Sequence, residues 1–234
     1  MILVLGQLKI HQRGGTPDCV ERNGICPSWI ADNLDRYTHP LLKQVELVLA
    51  AVAIGFAIAF ALALLSHRRR ALIAPITQLT GILYTLPSVA VFFLLLPVTG
   101  RGFDTALIAL VAYTLLIIFR NVITGLDGVP AEARDAGRGM GLTARQLLWR
   151  VELPLALPEI MAGLRIAMTT TVGLASLAFL AGAGGLGETI FDDRFFRSNV
   201  LVAGGLCVLL AVVLDLAVLA VQKALTPWTR AVPA

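Results

Sequence analysis

Residues 45–65 read VELVLAAVAIGFAIAFALALL, and this stretch decides the fold. Its only charged residue is Glu46, near one end. A helix needs about 20 mostly apolar residues to cross the hydrocarbon layer of a membrane. A buried helix of a soluble protein would carry a polar stripe at helical spacing, which this stretch lacks. The sequence therefore predicts a membrane-spanning helix here.

Four more apolar blocks follow, at 71–98, 104–119, 159–182 and 200–222. The chain as a whole is 57% hydrophobic and 15% charged, whereas soluble domains are about 25% charged. These features predict an all-α membrane protein with five transmembrane helices. The block 71–98 is long for one straight crossing and contains Pro87, which breaks or kinks a helix. A pathway-lining helix and a plain structural kink are equally compatible with it.

Basic residues cluster beside the ends of these blocks, a pattern that marks the cytoplasmic side of a membrane. The clusters fall on one side if the N-terminus is outside and the C-terminus inside. This orientation divides the chain into an extracytoplasmic tail (1–40), a transmembrane region (41–223) with a cytoplasmic loop (125–157), and a cytoplasmic tail (224–234). The basic residues concerned are Arg68, Arg69, Arg70, Arg120, Arg134, Arg138, Arg145, Arg150, Lys223 and Arg230.

Two cysteines, Cys19 and Cys26, lie in the tail that we expect outside. A disulfide between them is plausible, because that compartment permits oxidation. A metal site is disfavoured, because only His11 and His39 are nearby as further ligands. We therefore predict no metal site.

The stretch AGAGGLGET (181–189) contains a literal G-x-G-x-x-G at Gly182, Gly184 and Gly187. That pattern indicates dinucleotide binding only when a strand precedes it and a helix opens behind it. Here TTTVGLASLAFLA precedes it, which is the end of a predicted membrane helix. We therefore interpret the glycines as packing and turn residues.

The segment 130–158 predicts two short helices joined by glycines. Thr143 and Gln146 have the spacing of a capping box that starts the second helix. We expect Pro154 to end this helix and Pro158 to start the next span. The helix is amphipathic, so it could lie on the membrane surface or insert into a partner's groove. Its apolar face comprises Ala144, Leu147, Leu148 and Val151.

The same segment resembles the motif E-A-A-x-x-x-G, nine residues, I-x-L-P of permeases from binding-protein-dependent ABC importers. Asp135, Ala136 and Gly137 take the first three places and Gly141 takes the glycine. Nine residues later comes VELP (151–154). The spacing matches, while Asp replaces Glu, Gly replaces Ala and Val replaces Ile.

Three longer stretches, TLPSVAVFFLLLP, RGMGLTARQLLWRVELPLALPEIMAG and GAGGLGETI, resemble the osmoprotectant branch of that family, which takes up glycine betaine, choline and carnitine. The resemblance covers 41–223 and implies a type I, MetI-like permease core in a bacterial plasma membrane. It implies three partners: a cytoplasmic ATPase dimer, a second permease subunit (a paralogue or an identical copy) and an extracytoplasmic binding protein. The residues expected to couple to the ATPase are Asp135, Ala136, Gly137, Gly141, Leu142, Thr143, Leu147, Leu148, Val151, Leu153 and Pro154.

The chain contains no G-x-x-x-x-G-K-[ST], the loop that cradles ATP phosphates. We therefore expect no cofactor in this chain, with ATP and Mg bound by the partner ATPase. It also lacks the residue constellations of a catalytic centre, so we do not expect an enzyme. Its net charge of +4 is explained by the orientation signals and gives no support for nucleic-acid binding.

Two alternatives remain at this stage. The solute could be another small polar compound, such as an amino acid. The chain could instead be a self-sufficient secondary transporter, which usually shows inverted repeats and several intramembrane ionisable residues.

Arg165 and Asp215 lie at matching depths within two predicted spans. An intramembrane charge is costly unless paired or hydrated, so we expect an interhelical ion pair. Contact of Asp215 with a cationic substrate or a proton is the functional alternative.

A quaternary ammonium group has no donor hydrogen and binds to aromatic faces. Side chains around the predicted break and one near the glycine stretch are therefore candidates for the translocation path, with ordinary packing as the alternative. They are Tyr84, Pro87, Ser88, Phe92, Tyr113 and Phe179.

Overall fold

The structure is a computed structural model that describes residues 17–230. All regular elements in this range are helical, as the sequence predicts. The α-helices are α1 (Pro17–Glu21), α2 (Pro27–Asp32), α3 (Thr38–Arg68), α4 (Ile73–Thr85), α5 (Ser88–Thr99), α6 (Phe103–Asp127), α7 (Ala131–Gly139), α8 (Ala144–Leu147), α9 (Leu153–Ala175), α10 (Leu186–Asp192) and α11 (Arg197–Leu225).

Helix α6 forms the centre of the bundle, with α3 on one side and α9 on the other. Small residues allow these helices to approach closely. A Cβ added to Gly55 of α3 would lie 1.8 Å from Thr114 Oγ1 of α6, and one added to Gly163 of α9 would lie 2.3 Å from Asn121 Cβ of α6. Close backbone approach at small residues is typical of membrane helices, whose association depends on packing.

Helix α11 packs on α9 at the edge of the bundle. Large apolar side chains along it, such as Val208 and Leu216, remain exposed. A surface of this composition is stable in contact with lipid, because transfer of apolar area out of water is favourable.

Within the described residues, three helical stretches are long and apolar enough to cross a membrane on their own: Leu34–Arg68, Phe103–Asp127 and Arg197–Leu225. The bent pair α4 and α5 makes a fourth if it counts as one span. Helix α9, which carries Glu159, Arg165 and two prolines, is not among them. Length and composition therefore support three to four of the five predicted spans.

The prediction that the fourth span begins at Pro158 and runs through 182 is wrong. Helix α8, a π-helical segment (Leu148–Glu152) and α9 follow one another without interruption. Pro154 follows the π segment directly, as the second residue of α9, and Pro158 lies inside the helix. The π segment changes the hydrogen-bond register just before the prolines, so neither of them ends the helix.

The second apolar block is broken, as Pro87 predicts. Helices α4 and α5 are bent by 96° at this break. Leu86 is extended, with φ −64° and ψ 136°, which is the conformation that a following proline favours.

The glycine stretch forms a left-handed turn between two helical elements. Gly182, Gly184 and Gly185 have φ of +82°, +78° and +96°, a region that other residues rarely adopt. A Cβ added to Gly187 would lie 1.6 Å from the carbonyl oxygen of Ser176. The interpretation of these glycines as turn and packing residues is confirmed, and the element before them is helical rather than a strand.

Candidate coupling site and pathway residues

The bundle has two ends, which lie at the two ends of helix α3. They are roughly 46 Å apart, since α3 has 31 residues and a helix rises ~1.5 Å per residue. The loop end carries Arg68, α7 and α8, and the opposite end carries α2 and α10.

Helices α7 and α8 meet in a tight turn at the loop end. Gly141 has φ +80° in this turn, and its N–H donates to the Arg138 carbonyl at 2.9 Å. The predicted capping box is confirmed: the Gln146 N–H donates to Thr143 Oγ1 at 3.3 Å, and the Thr143 N–H donates to Gln146 Oε1 at 2.9 Å. These bonds satisfy N–H groups that an uncapped helix leaves free.

Of the predicted apolar face, the two leucines are covered by the chain itself, Val151 is half-buried and Ala144 is exposed. Leu147 and Leu148 are buried, and Leu147 packs so closely on α7 that its Cδ1 would lie 2.5 Å from a Cβ on Gly137. Leu148 belongs to the cluster that also holds Leu126 of α6 and Ala156 of α9. The leucines therefore anchor the segment and do not project towards a partner.

A different set of side chains forms the outer surface of the segment. Met140 is 74% exposed and Trp149 is 53% exposed. We call Met140, Trp149 and the exposed arginines Arg138, Arg145 and Arg150 the loop-end surface. Sequence reasoning missed Trp149, although an aromatic residue on the polar side of an amphipathic helix signals a contact surface.

The predicted coupling residues thus fall into three groups by exposure. The exposed ones are Asp135, Ala136, Gly141 and Thr143; the half-buried ones are Leu142, Val151, Leu153 and Pro154; the buried ones are Gly137, Leu147 and Leu148.

A buried carboxylate lies behind the loop-end surface. Glu152, whose side chain is 8% exposed, contacts Arg134 Nε of α7 at 3.1 Å and His67 Nε2 of α3 at 3.0 Å. Arg134 Nη2 also donates to the Leu126 carbonyl near the end of α6 at 2.6 Å. A cation at this position satisfies an orphan carbonyl of the helix end. The sequence analysis did not single out Glu152, because its partners lie on other helices.

Four of the six predicted pathway residues come together at the break between α4 and α5. The Tyr113 hydroxyl donates to the Leu86 carbonyl at 2.6 Å, and the Tyr84 and Tyr113 rings lie 6.1 Å apart in an edge-on arrangement. Pro87 and Ser88 follow Leu86 directly. Tyr113 thereby satisfies a carbonyl that the broken helix leaves without an intrahelical partner.

The other two predicted pathway residues lie elsewhere. Phe92 is fully buried in the core between the helices. Phe179 lies in the 3₁₀ turn before the glycine stretch and packs on Phe191 of α10, with ring centroids 5.0 Å apart. Neither position suits a shared aromatic surface with Tyr84 and Tyr113.

Arg165 of α9 and Asp215 of α11 are in contact. Arg165 Nε lies 2.8 Å from Asp215 Oδ1, and Arg165 Nη2 lies 2.7 Å from Asp215 Oδ2. This two-point geometry is the strong form of an arginine–carboxylate interaction.

The tail residues 17–37 cover the opposite end. Cys19 and Cys26 form a disulfide. The Cys26 N–H donates to Ser198 Oγ at 2.9 Å, and Ser198 Oγ donates to the Gly24 carbonyl at 3.0 Å. Trp29 packs edge-on against Phe196 at 4.7 Å. Sequence reasoning missed this packing, because the paired residues are more than 160 positions apart.

Within residues 17–230 no group of three or more His, Cys, Asp or Glu side chains could hold a metal ion. His11, one of the two histidines considered, lies outside the described residues.

Comparison with known proteins identifies the family of this chain. Residues 51–231 match the model of the family described as "Binding-protein-dependent transport system inner membrane component". The osmoprotectant import permease protein OsmW of Salmonella typhimurium is 36% identical over 85% of this chain and 96% of its own length. The choline transport system permease protein OpuBB of Bacillus subtilis is 35% identical over 79% of this chain and 86% of its own.

A solved structure shares the fold. The inward-facing MetNI methionine ABC transporter contains a chain that superposes with a TM-score of 0.69 at 23% identity, over 85% of this chain and 96% of that one. The helical bundle is therefore the MetI-like permease fold. Permeases of the matched family generally work with an ATPase, a second permease and a binding protein. The family model matches most of the chain, and the chain aligns with OsmW over nearly its whole length. The chain therefore belongs to the family of inner membrane components of binding-protein-dependent transport systems.

Proposed function

We propose that this chain is the membrane-spanning subunit of an ATP-driven importer for a small osmoprotectant such as glycine betaine, choline or carnitine. The observation that carries the proposal is the 36% identity to an osmoprotectant import permease over nearly its whole length. The choline permease, at 35% identity, points to the same group of solutes. Choline, carnitine and glycine betaine share a trimethylammonium group, which aromatic faces can bind.

The proposal includes five crossings, made by α3, the α4–α5 pair, α6, α9 and α11. The N-terminus lies outside and the C-terminus lies in the cytoplasm. Two observations support this orientation. Arg68 ends α3 at the loop end, and Arg69 and Arg70 follow it; basic residues favour the cytoplasmic side. The disulfide lies at the opposite end, and disulfides persist in oxidising compartments.

The proposed division of the chain follows from this orientation. Residues 1–40 form the extracytoplasmic tail, 41–223 the transmembrane region with its cytoplasmic loop 125–157, and 224–234 the cytoplasmic tail. The second permease is a paralogue or an identical copy of this chain.

The loop-end surface docks on the ATPase. An exposed tryptophan and methionine flanked by arginines match the composition of protein interfaces, where aromatic residues, Met and Arg are enriched. The predicted coupling residues that are buried, Leu147 and Leu148, hold this surface in place. ATP and Mg bind to the partner, because this sequence has no phosphate-binding loop.

The solute passes the break between α4 and α5, where Tyr84, Ser88 and Tyr113 lie together. High-affinity selection belongs to the binding protein. Broken membrane helices are tolerated where they line a cavity or pack against protein, which supports this position for the path.

The Arg165–Asp215 pair is structural and joins α9 to α11. Exchange of the two residues, Arg165→Asp with Asp215→Arg, should restore the folded yield that either single substitution loses. If Asp215→Asn folds normally but changes choline uptake, the residue acts on a cationic solute instead.

Uptake into proteoliposomes tests the function. The chain is reconstituted with its co-purified ATPase and permease and its binding protein, and labelled choline, glycine betaine and an amino acid are compared. We expect uptake of the trimethylammonium compounds only when ATP is present on the side of the membrane where the ATPase lies. Amino-acid uptake alone would identify a different solute class. Ion-driven uptake by the isolated chain would identify a secondary transporter and overturn the proposal.

A further inference from the structure

Glu152 is a buried acid at the point where the loop meets the bundle, and its side chain is 8% exposed. A buried carboxylate is costly unless it is paired and hydrogen-bonded. Its two oxygens contact different helices: Oε1 lies 3.1 Å from Arg134 Nε, and Oε2 lies 3.0 Å from His67 Nε2. Both oxygens are therefore committed to partners outside the helix that carries Glu152.

Arg134 extends the connection to α6. Its Nη2 donates to the Leu126 carbonyl at 2.6 Å, while its Nε contacts Glu152. The planar guanidinium presents several donors in a fixed geometry, so one side chain can bind both groups at once. Glu152 and Arg134 thus join the loop helix α7 to the ends of α3 and α6 and to the start of α9.

The backbone at Glu152 is unusual as well. The residue ends the π-helical segment Leu148–Glu152, which begins one position before the exposed Trp149. Short π segments within α-helices occur frequently at functional sites. The exposed Trp149 and the buried Glu152, which contacts α3 and α7, therefore lie in the same π-helical segment.

We infer that Glu152 is a positioning residue for energy coupling, with Arg134 as its main partner. The pair holds α7 against the ends of α3 and α6, so that a displacement of the loop end moves these helices as one unit. Without the carboxylate the loop segment still docks, but its movement is no longer transmitted to α3. This inference rests on the proposed function and adds the residue through which the loop acts.

The test is Glu152→Gln in the reconstituted complex, with choline uptake and ATP hydrolysis measured in the same vesicles. Glutamine keeps the size of the side chain but removes its charge. We expect normal assembly and continued ATP hydrolysis, with choline imported per ATP reduced on the order of tenfold, within the usual range of coupling between sites. Glu152→Asp should recover part of this ratio.

The matched control is Glu132→Gln, on the exposed first turn of the same loop helix. It should leave the ratio unchanged. Arg134→Lys provides a second variant if Glu152→Gln does not assemble. It keeps the charge but cannot bind Glu152 and Leu126 together, so the ratio should fall to an intermediate value.

An unchanged ratio in the assembled Glu152→Gln complex, or in Arg134→Lys where that variant is the one that assembles, would overturn the inference. The residue would then be structural only, whatever the yield. Failure of the proposed function looks different, because the unmodified complex itself would then import no choline.

Discussion

The two ends of the bundle are closed in different ways. At the opposite end an ion pair joins Arg36 to Asp193 at 3.0 Å, and most other contacts within the described residues are made by neutral side chains. For example, Asn23 Nδ2 donates to the Phe195 carbonyl at 2.6 Å, across 172 positions of sequence. A disulfide links Cys19 and Cys26 beside it. At the loop end, charged side chains from separate helices meet at Glu152, and the loop turns at Gly141.

From this difference we expect the opposite end to contribute mainly to stability and the loop end mainly to transport. Backbone contacts and a covalent bond fix the position of the chain, so changes at the opposite end should mainly alter the free energy of unfolding. Contacts between charged side chains set the relative position of whole helices. Changes at the loop end should therefore mainly alter partner binding and coupling.

Gly187→Ala should have the largest effect on stability. The new Cβ would lie 1.6 Å from the Ser176 carbonyl oxygen, which is backbone and cannot move aside alone. We expect a loss of about 3 kcal/mol in the free energy of unfolding in detergent. Gly204→Ala is the control, because nothing lies within 4 Å of its added Cβ. Equal stability of the two variants would contradict the close packing described here.

Removal of the disulfide should come next. Replacement of Cys19 and Cys26 by serine frees a loop with a sequence separation of 7, and we expect a loss of about 2–3 kcal/mol. Unfolding of the unmodified chain with and without reductant measures the same quantity. ATPase binding at the loop end should not change. If ATPase binding falls together with stability in the serine variant, the two ends do not act separately as described here.

Trp149→Ala should weaken binding of the ATPase. Truncation of an exposed aromatic anchor typically costs at least about 1.4 kcal/mol at an interface, or tenfold in affinity. Phe195→Ala is the matched control, because Phe195 is an aromatic residue that is 78% exposed at the opposite end. Titration of the ATPase against both variants measures the difference. Equal affinities of the two variants would show that the ATPase does not dock on the loop-end surface.

Thr143→Ala should have the smallest effect. It removes the side-chain oxygen that accepts from the Gln146 N–H, and loss of such a cap costs about 1 kcal/mol. Thr143→Ser keeps the oxygen and should unfold like the parent chain. If the serine variant loses as much stability as the alanine variant, the methyl group matters more than the cap.

Local patterns in the sequence predicted local structure well. The apolar run 45–65 lies within α3, the pair Thr143 and Gln146 forms the capping box, and the glycines after residue 181 form a turn. Each of these features depends on residues within a few positions of one another. Helical propensity, capping and left-handed turns are decided at that range.

The remaining features depend on contacts between distant segments. The amphipathic pattern identified Leu147 and Leu148 as apolar, but it could not predict that α7 and the bundle cover them. Pro154 suggested the end of one helix and Pro158 the start of the next, whereas the structure has one continuous helix that includes both. Glu152 and its partners came together only in the folded chain.

The unbroken run from Ala144 to Ala175 is about 48 Å long at ~1.5 Å per residue. It lies close to α6 in two places, at Gly163 beside Asn121 and at Ala156 beside Gly125. These two places are about 10 Å apart along the helix, so they oppose rotation of α9 about either one alone. We therefore expect α9 and α6 to tilt together when the loop end is displaced, which would shift the glycine turn that follows Ala175.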